Sequence, residues 1–405
     1  MSSWSNRLSQ SGAALTSAGA TSLTGFVVNA AVSRRVTSAD FGKFSVLYLV
    51  LYFGMALLRA VFGEPLLLTG QVAERASGEL NSWAVGSSGV CAVLLGFVQG
   101  AILLSVFHSA WLLVCMVVLP AIVLQDILRF VAFSLGQPHI AAVSDLAVLL
   151  PLPVLLVWHP NSVPVEELAV GLWAAASALS AAFAARRLLK TAPAVHVRQY
   201  WNFARRPAVG SITEFGATAM VSIVPVTLIP LGSTLSDTAT VRVLQMVFSP
   251  ITVVHAAAFT LIAPRIAQRR HSSNHGMARL LYAYALALSA CSVALTAVLV
   301  AVPRLGTSLF PSSYRDARSF LTTYLVVQLV GVGVGTVTLG LRATDSYAGV
   351  ARVRIVTALL TPVAAVIAVA VGGVRGFCFA VAAMQLPVLF RGLRVLSRSN
   401  PTAPR

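Results

Sequence analysis

Charge is what this sequence has least of. Only 10% of its 405 residues are Asp, Glu, Lys or Arg, while 57% are hydrophobic and the mean hydropathy is +0.84. A soluble domain is about a quarter charged. So few polar groups cannot cover a globular surface in water, which leaves lipid as the solvent. Acidic residues are the scarcer sign, with 12 Asp+Glu against 29 Lys+Arg and a formal net charge of +17. In a soluble protein that excess would suggest nucleic acid. In a polytopic chain it is loop charge, and no nucleic-acid partner is expected.

Other absences narrow the chemistry. The four cysteines, Cys91, Cys115, Cys291 and Cys378, all fall inside apolar stretches with no CxxC spacing. They read as small buried hydrophobes rather than disulfides or metal ligands. There is no HExxH, no GxSxG and no P-loop. Gly331-x-Gly333-x-Gly335 has no strand before it and is not a dinucleotide fingerprint. An enzyme is not expected, and neither is a cofactor or a metal. No cleavable signal is evident: after Arg7 the first apolar stretch is long, rich in Gly, Ser and Thr, and followed by more spans.

What is present is a series of long apolar runs. A helical span needs about 20 mostly apolar residues. That length yields twelve candidates: 12–32, 43–63, 83–107, 110–135, 139–158, 166–188, 208–231, 240–264, 278–302, 317–341, 350–371 and 374–396. The expected fold is an all-α polytopic membrane protein of about twelve transmembrane helices in two six-helix lobes. Its organisation reads as an N-terminal lobe over 1–190, a basic interfacial linker over 191–207, a C-terminal lobe over 208–396 and a short basic tail over 397–405. The linker contains Tyr200-Trp201-Asn202-Phe203, an aromatic cluster suited to the headgroup level, although a plain basic loop accounts for it equally. Glu64 to Ser82 reads as an extension of the second span.

Orientation follows from Arg and Lys placement. With both termini in the cytoplasm, twenty fall on the inner side. Seven fall outside: Arg34, Arg35, Lys43, Arg304, Arg315, Arg318 and Arg375. That asymmetry predicts a multi-pass cell-membrane protein with both ends inside. The halves also look related. Gly19-Ala20-Thr21 recurs as Gly216-Ala217-Thr218 and Asp40 as Asp237, at one offset (216 − 19 = 237 − 40 = 197). Two repeats of six spans share an orientation and are related by an axis along the membrane normal, the geometry of a two-lobed alternating-access carrier.

Charges inside spans are costly, about 2.5–3.5 kcal/mol each on insertion scales, and face a partner or a wet cavity. The fourth span carries Gln125-Asp126-x-x-Arg129, with the two charges on one helix face. Arg59 and Glu64 near the end of the second span, and Asp145 in the fifth, share its depth on the expected topology. One reading is an inner vestibule where Arg59 and Arg129 attract a phosphate or diphosphate, which suits the planar donor fork of guanidinium. The other is internal: Asp126 pairs with Arg129, Asp145 ties the fifth span to them, and Arg59 snorkels. Glu214 at the start of the seventh span is either part of the substrate site or a carboxylate stabilised at a helix N-terminus. His255 reads mainly as a hydrogen-bonded buried imidazole. Pro120, Pro225, Pro230 and Pro250 are expected to interrupt their helices. Gly331, Gly333 and Gly335 mark either a bend or a close-packing seam.

Three stretches carry a family resemblance. Arg34-Arg35-Val36-Thr37-Ser38-Ala39-Asp40-Phe41-Gly42-Lys43-Phe44-Ser45 resembles the loop after the first helix in polysaccharide and lipid-linked oligosaccharide flippases of the multidrug/oligosaccharidyl-lipid/polysaccharide exporter superfamily. Leu309-Phe310-Pro311-Ser312-Ser313-Tyr314-Arg315-Asp316-Ala317 resembles the stretch before their tenth helix, with Pro311 where a Gly is usual. Gln125-Asp126-x-x-Arg129 followed by Leu135-Gly136-Gln137-Pro138 resembles the fourth helix of some polysaccharide-biosynthesis membrane proteins. The resemblance implies two six-helix bundles around a cavity, and the flipping or export of a bulky amphiphile. Several such proteins have fourteen helices; this chain reads as twelve.

The leading expectation is a transporter that flips or exports a lipid-linked saccharide or polysaccharide precursor, with Arg59, Asp126, Arg129, Asp145 and Glu214 as substrate-site residues. The lipid bilayer and the diphosphate headgroup are its partners, with glycosyltransferases or a polymerase as possible neighbours. The alternative is a cation-coupled drug or metabolite antiporter of the same superfamily, in which Asp126 and Asp145 would bind the cation. A membrane scaffold for glycosyltransferases is disfavoured by the lack of a sizeable soluble segment. The orientation is directly testable in a variant without native cysteines. An impermeant thiol reagent on intact cells should label Ser162→Cys and spare Thr191→Cys; the reverse pattern would invert the topology.

Overall fold

The computed structural model describes residues 2–69, 77–108, 114–158, 163–270, 274–343 and 348–398. Arg75, outer-loop residues 159–162 and the tail from 399 lie outside these residues, and so does the side chain of His255. Every element among the described residues is helical. They are α1 (Ser2–Ser33), α2 (Ser38–Leu58), a π turn (Arg59–Gly63), α3 (Glu64–Thr69), α4 (Ser77–Phe107), α5 (Cys115–Ser134), α6 (Pro138–Leu149), α7 (Val154–Val157) and α8 (Val165–Leu188). There follow α9 (Val197–Ser222), α10 (Val224–Thr227), α11 (Ile229–Gly232), α12 (Leu235–Arg270), α13 (Asn274–Ala301), α14 (Pro303–Leu309), α15 (Ser313–Arg318), α16 (Leu321–Ala343) and α17 (Ala348–Arg398).

Nine helical segments among the described residues are long and apolar enough to cross a membrane. One of them, Gly349–Ser397, is two expected spans joined at Gly373, whose φ of 56° breaks the helix as only glycine does cheaply. The two expected spans outside the nine are α9 with the short turns after it, and α12. The architecture is the all-α polytopic one that the apolar runs imply.

The helices turn large apolar faces outward and keep many of their polar side chains inside, unlike those of a soluble protein. The exposed face of α4 is Val90, Val93, Leu94, Phe97, Val98 and Ile102, whereas its buried side includes Asn81, Ser82, Ser87, Ser88 and Gln99. The first half of α17 likewise exposes Val356, Leu359, Leu360, Val363 and Ile367. Hydrocarbon is the solvent that leaves such faces without penalty.

The chain divides into two compact units, 1–36 with 44–216 and 37–43 with 217–405. In the first unit α5 is central: Val118, Leu119, Ile122, Val123, Ile127, Leu128 and Val131 are all buried, and it packs on α4, α6 and α8. In the second unit α16 packs on α17 and α13, and α12 on α13, α15 and α16. The repeat seen at offset 197 has a structural counterpart. Thr37 donates its hydroxyl to Asp40 at 2.6 Å and accepts the Asp40 amide; Thr234 does the same with Asp237 at 2.9 Å. Each pair is a reciprocal cap on a helix start.

Several local expectations change. The seventh helix begins at Val197 rather than 208, because the linker's last residues are already helical and Pro207 is accommodated inside the helix. Pro225 and Pro230 do break the chain, each sitting at the start of a new short helix, where its missing N–H costs nothing. Pro120 and Pro250 instead lie within continuous helices. Of the glycines in α16, Gly333 packs on Leu389, while Gly331 has open space beside it.

Two of the three segments that carry the family resemblance are packing locks. Phe41, Phe310 and Tyr314 are fully buried. A Cβ on Gly42 would stand 1.9 Å from the Leu235 carbonyl oxygen. Gly42→Ala should therefore destabilise by about 1–3 kcal/mol as an overpacked site. Gly171→Ala, in an α8 position with nothing within 4 Å, should be neutral or stabilising by about 0.5–1 kcal/mol. Thermal unfolding in detergent compares the two; equal melting temperatures would refute the lock.

Candidate functional site

The site lies in the first unit, where α1, the π turn, α5, α6 and α8 bring polar side chains together. Arg59 opens the π turn. Its Nε donates to one oxygen of Asp126 at 2.7 Å and a terminal nitrogen to the other at 3.0 Å. This is the bidentate fork that guanidinium and carboxylate favour. Arg129, one helical turn along α5, also donates to Asp126, and its other nitrogen donates to the Thr21 hydroxyl at 2.7 Å. The Phe130 ring lies against both guanidiniums, 5.8 Å from Arg59 and 5.4 Å from Arg129. Asp126 is 3% exposed and Arg59 19%, so Arg59 is the more accessible end of the triad.

A second cluster adjoins it through Gln125. The Gln125 amide donates to Asp145 at 2.6 Å, and Ser17 on α1 donates to the other Asp145 oxygen. Ser144 and Ser180 share a hydrogen bond, and the Ser180 hydroxyl donates to the Ser144 carbonyl at 2.9 Å. The formal charges of Arg59, Arg129, Asp126 and Asp145 cancel, which suits a low-dielectric interior.

Beside these clusters is a small cavity of about 40 Å³. Thr21, Thr24, Tyr48, Tyr52, Gln125, Asp126, Asp145 and Trp173 contribute to its lining. It has room for roughly two to four waters or a small cation. Tyr48 stacks on Trp173 with ring centroids 5.6 Å apart. The buried Thr24 hydroxyl has no hydrogen-bond partner among the described residues. Among those residues no three His, Cys, Asp or Glu come together to hold a metal.

Arg59, Asp126, Arg129 and Asp145, four of the side chains singled out in the sequence, thus meet in one place. Arg59 does not simply snorkel; it shares Asp126 with Arg129. Glu214 is elsewhere. It is half-buried and lies deep inside α9, not at a helix N-terminus, and it does not line the cavity. Sequence reasoning missed Ser17, Thr21, Thr24, Ser144 and Ser180. Hydroxyls in apolar helices commonly bond their own backbone four residues back, so residue type alone does not single them out.

No known family profile matches the sequence, and no curated protein matches it. Solved structures do. An inward-facing multidrug-resistance MATE family transporter of the MOP superfamily matches with a TM-score of 0.71 at 14% identity, covering 95% of this chain and 96% of that one. An outward-facing MATE structure matches at 0.62 and 13% identity, over 97% of each chain. A MOP superfamily transporter from Pyrococcus furiosus, described as having a binding pocket of reversed polarity, matches at 0.63 and 12%, covering 98% of this chain and 96% of that one. The chain therefore shares its fold with these solved transporters. At these identities the likeness is one of fold.

Removing Asp126 leaves two guanidiniums sharing no carboxylate. Asp126→Ala should cost about 3–5 kcal/mol, as for any buried pair broken on one side. The triple variant Arg59→Met/Asp126→Leu/Arg129→Met should recover much of that. Chemical unfolding in mixed micelles would measure both, and a near-neutral Asp126→Ala would show that the triad does not hold the lobe together.

Proposed function

We propose that the protein is an alternating-access membrane transporter that flips or exports a lipid-linked saccharide or polysaccharide precursor. The observation that carries this reading is the pair of arginines gathered on one carboxylate in a chain with a transporter fold. In the resting lobe Asp126 engages both guanidiniums, Arg59 through two nitrogens and Arg129 through one. A diphosphate offers more charge and more acceptor oxygens than a carboxylate and can displace it, with Arg59, the more exposed of the two, engaged first. The sequence resemblance of the segment Arg34–Ser45 supports the substrate class, although its buried residues serve packing. On this reading the protein sits in the cell membrane with both termini inside, beside the glycosyltransferases or polymerase that make and use its cargo.

A second reading has its own observation. The cavity lined by Asp145, Asp126 and Thr24 is too small for a headgroup but suits a proton, a water cluster or a small cation. That favours a cation-coupled antiporter, with Asp145 as the coupling carboxylate.

Reconstituted vesicles separate the two. With labelled polyprenyl-diphosphate sugars, wild type should translocate headgroups, and Arg59→Ala should slow this by about tenfold or more, the loss of one charge-assisted contact. No translocation across a panel of such lipids would overturn the leading reading. Uptake of a cationic dye driven by a pH gradient, abolished by Asp145→Asn, would establish the second.

A further inference from the structure

Between α8 and α9 the chain leaves the helix and lies along α4. The Ser82 hydroxyl donates to the Ala192 carbonyl at 2.6 Å, the Ala194 amide to the Ser82 carbonyl at 3.3 Å, and the His196 amide to the Ser87 hydroxyl at 3.1 Å. The His196 ring meets Trp83 edge-on, 5.6 Å between centroids. A Cβ on Gly86 would fall 2.3 Å from the Ala194 oxygen, so the linker occupies the space that a side chain would need. Where α9 begins, Tyr200, Ala204 and Ala208 form a buried stripe, while Arg198, Trp201 and Arg205 are exposed.

Tyr200 is 1% exposed, and its hydroxyl donates to the Phe62 carbonyl at 2.7 Å. The two rings also pack, 5.2 Å apart. Burial pushes the phenol above its ordinary range, so it stays protonated and remains a donor. Phe62 belongs to the one π turn among the described residues. Such a turn holds one residue more than an α turn and recurs at functional sites. If it relaxed to α geometry, the helix before it would rotate by roughly 100° and shift by about 1.5 Å relative to the helix after it. Arg59 opens this turn. Gly63 closes it against Phe130, the ring that lies beside both guanidiniums. The register of Arg59 on Asp126 is therefore set by the π turn, and a Phe at position 200 would fill the same space without reaching the carbonyl.

We propose that Tyr200 is a positioning residue through which the linker between the two halves controls the buried charge triad. With the linker seated on α4, Tyr200 holds the π turn open and Arg59 stays forked on Asp126. Drawing the linker away removes the hydroxyl, lets the turn relax and releases Arg59, while Arg129 keeps Asp126 and Thr21. This goes beyond the transport reading and holds whatever the cargo, so it survives or fails independently of that reading.

The test uses full-length protein in lipid nanodiscs. In Tyr200→Phe, hydrogen exchange at amides 60–66 should quicken about tenfold, as a local opening freed of one hydrogen bond. Phenylglyoxal modification of Arg59, quantified by mass spectrometry, should quicken about fivefold, while that of Arg129 changes little. Gly86→Val, which unseats the linker, should reproduce both changes; if it does not fold, Ala194→Pro, which deletes the amide donor to Ser82, takes its place. Wild-type exchange and labelling in Tyr200→Phe would overturn the proposal, and so would a uniform acceleration across all helices. Changes in Tyr200→Phe that neither linker variant reproduces would overturn the linker's control.

Discussion

One carboxylate carries the first unit. In a lobe bathed in hydrocarbon, Arg59 and Arg129 cannot be left bare, and Asp126 answers both. Almost every polar feature nearby follows from that demand. Thr21 takes the remaining reach of Arg129, Phe130 covers both guanidinium faces, and the π turn sets Arg59 at the right angle. Gln125, adjacent in sequence, turns toward Asp145 and extends the network to α6 and α8. Because Arg59 and Arg129 are balanced in formal charge by Asp126 and Asp145, the lobe can be apolar outside without stranding a charge in this network.

Much of this was legible in the chain. Long apolar runs set the helix count, and the offset of 197 between Asp40 and Asp237 located a repeat that the structure expresses as two matching helix caps. The intramembrane charges identified themselves by cost alone, which is why Arg59, Asp126, Arg129 and Asp145 were found together. The partner of Arg59 was not legible. It depends on a π turn, and a single extra residue in a helical ladder leaves no compositional trace in Arg59-Ala60-Val61-Phe62-Gly63. Glu214 was misplaced for a related reason. The start of α9 is decided by the docking of the linker on α4, a tertiary contact, not by where apolar residues resume. Pro120 and Pro250 misled because a proline in lipid loses one hydrogen bond but gains nothing by ending a helix.

The resemblance motifs also take on a different meaning. Phe41, Gly42, Phe310 and Tyr314 are seated in tight contacts, not displayed to a substrate. Motifs of this kind travel with a fold, which agrees with a structural likeness that holds at 12–14% identity.

The seven residues Thr37–Lys43 are encoded among the first spans yet belong to the second unit. Each unit is thus assembled from more than one stretch of the chain or receives a stretch from the other half of the sequence. A polypeptide carrying only the first six spans would bear Gly42 without Leu235, the residue that faces it. Gene fragments that look like natural modules on a hydropathy plot would therefore each be incomplete, and cleaving the linker would nick the molecule without making its halves self-sufficient.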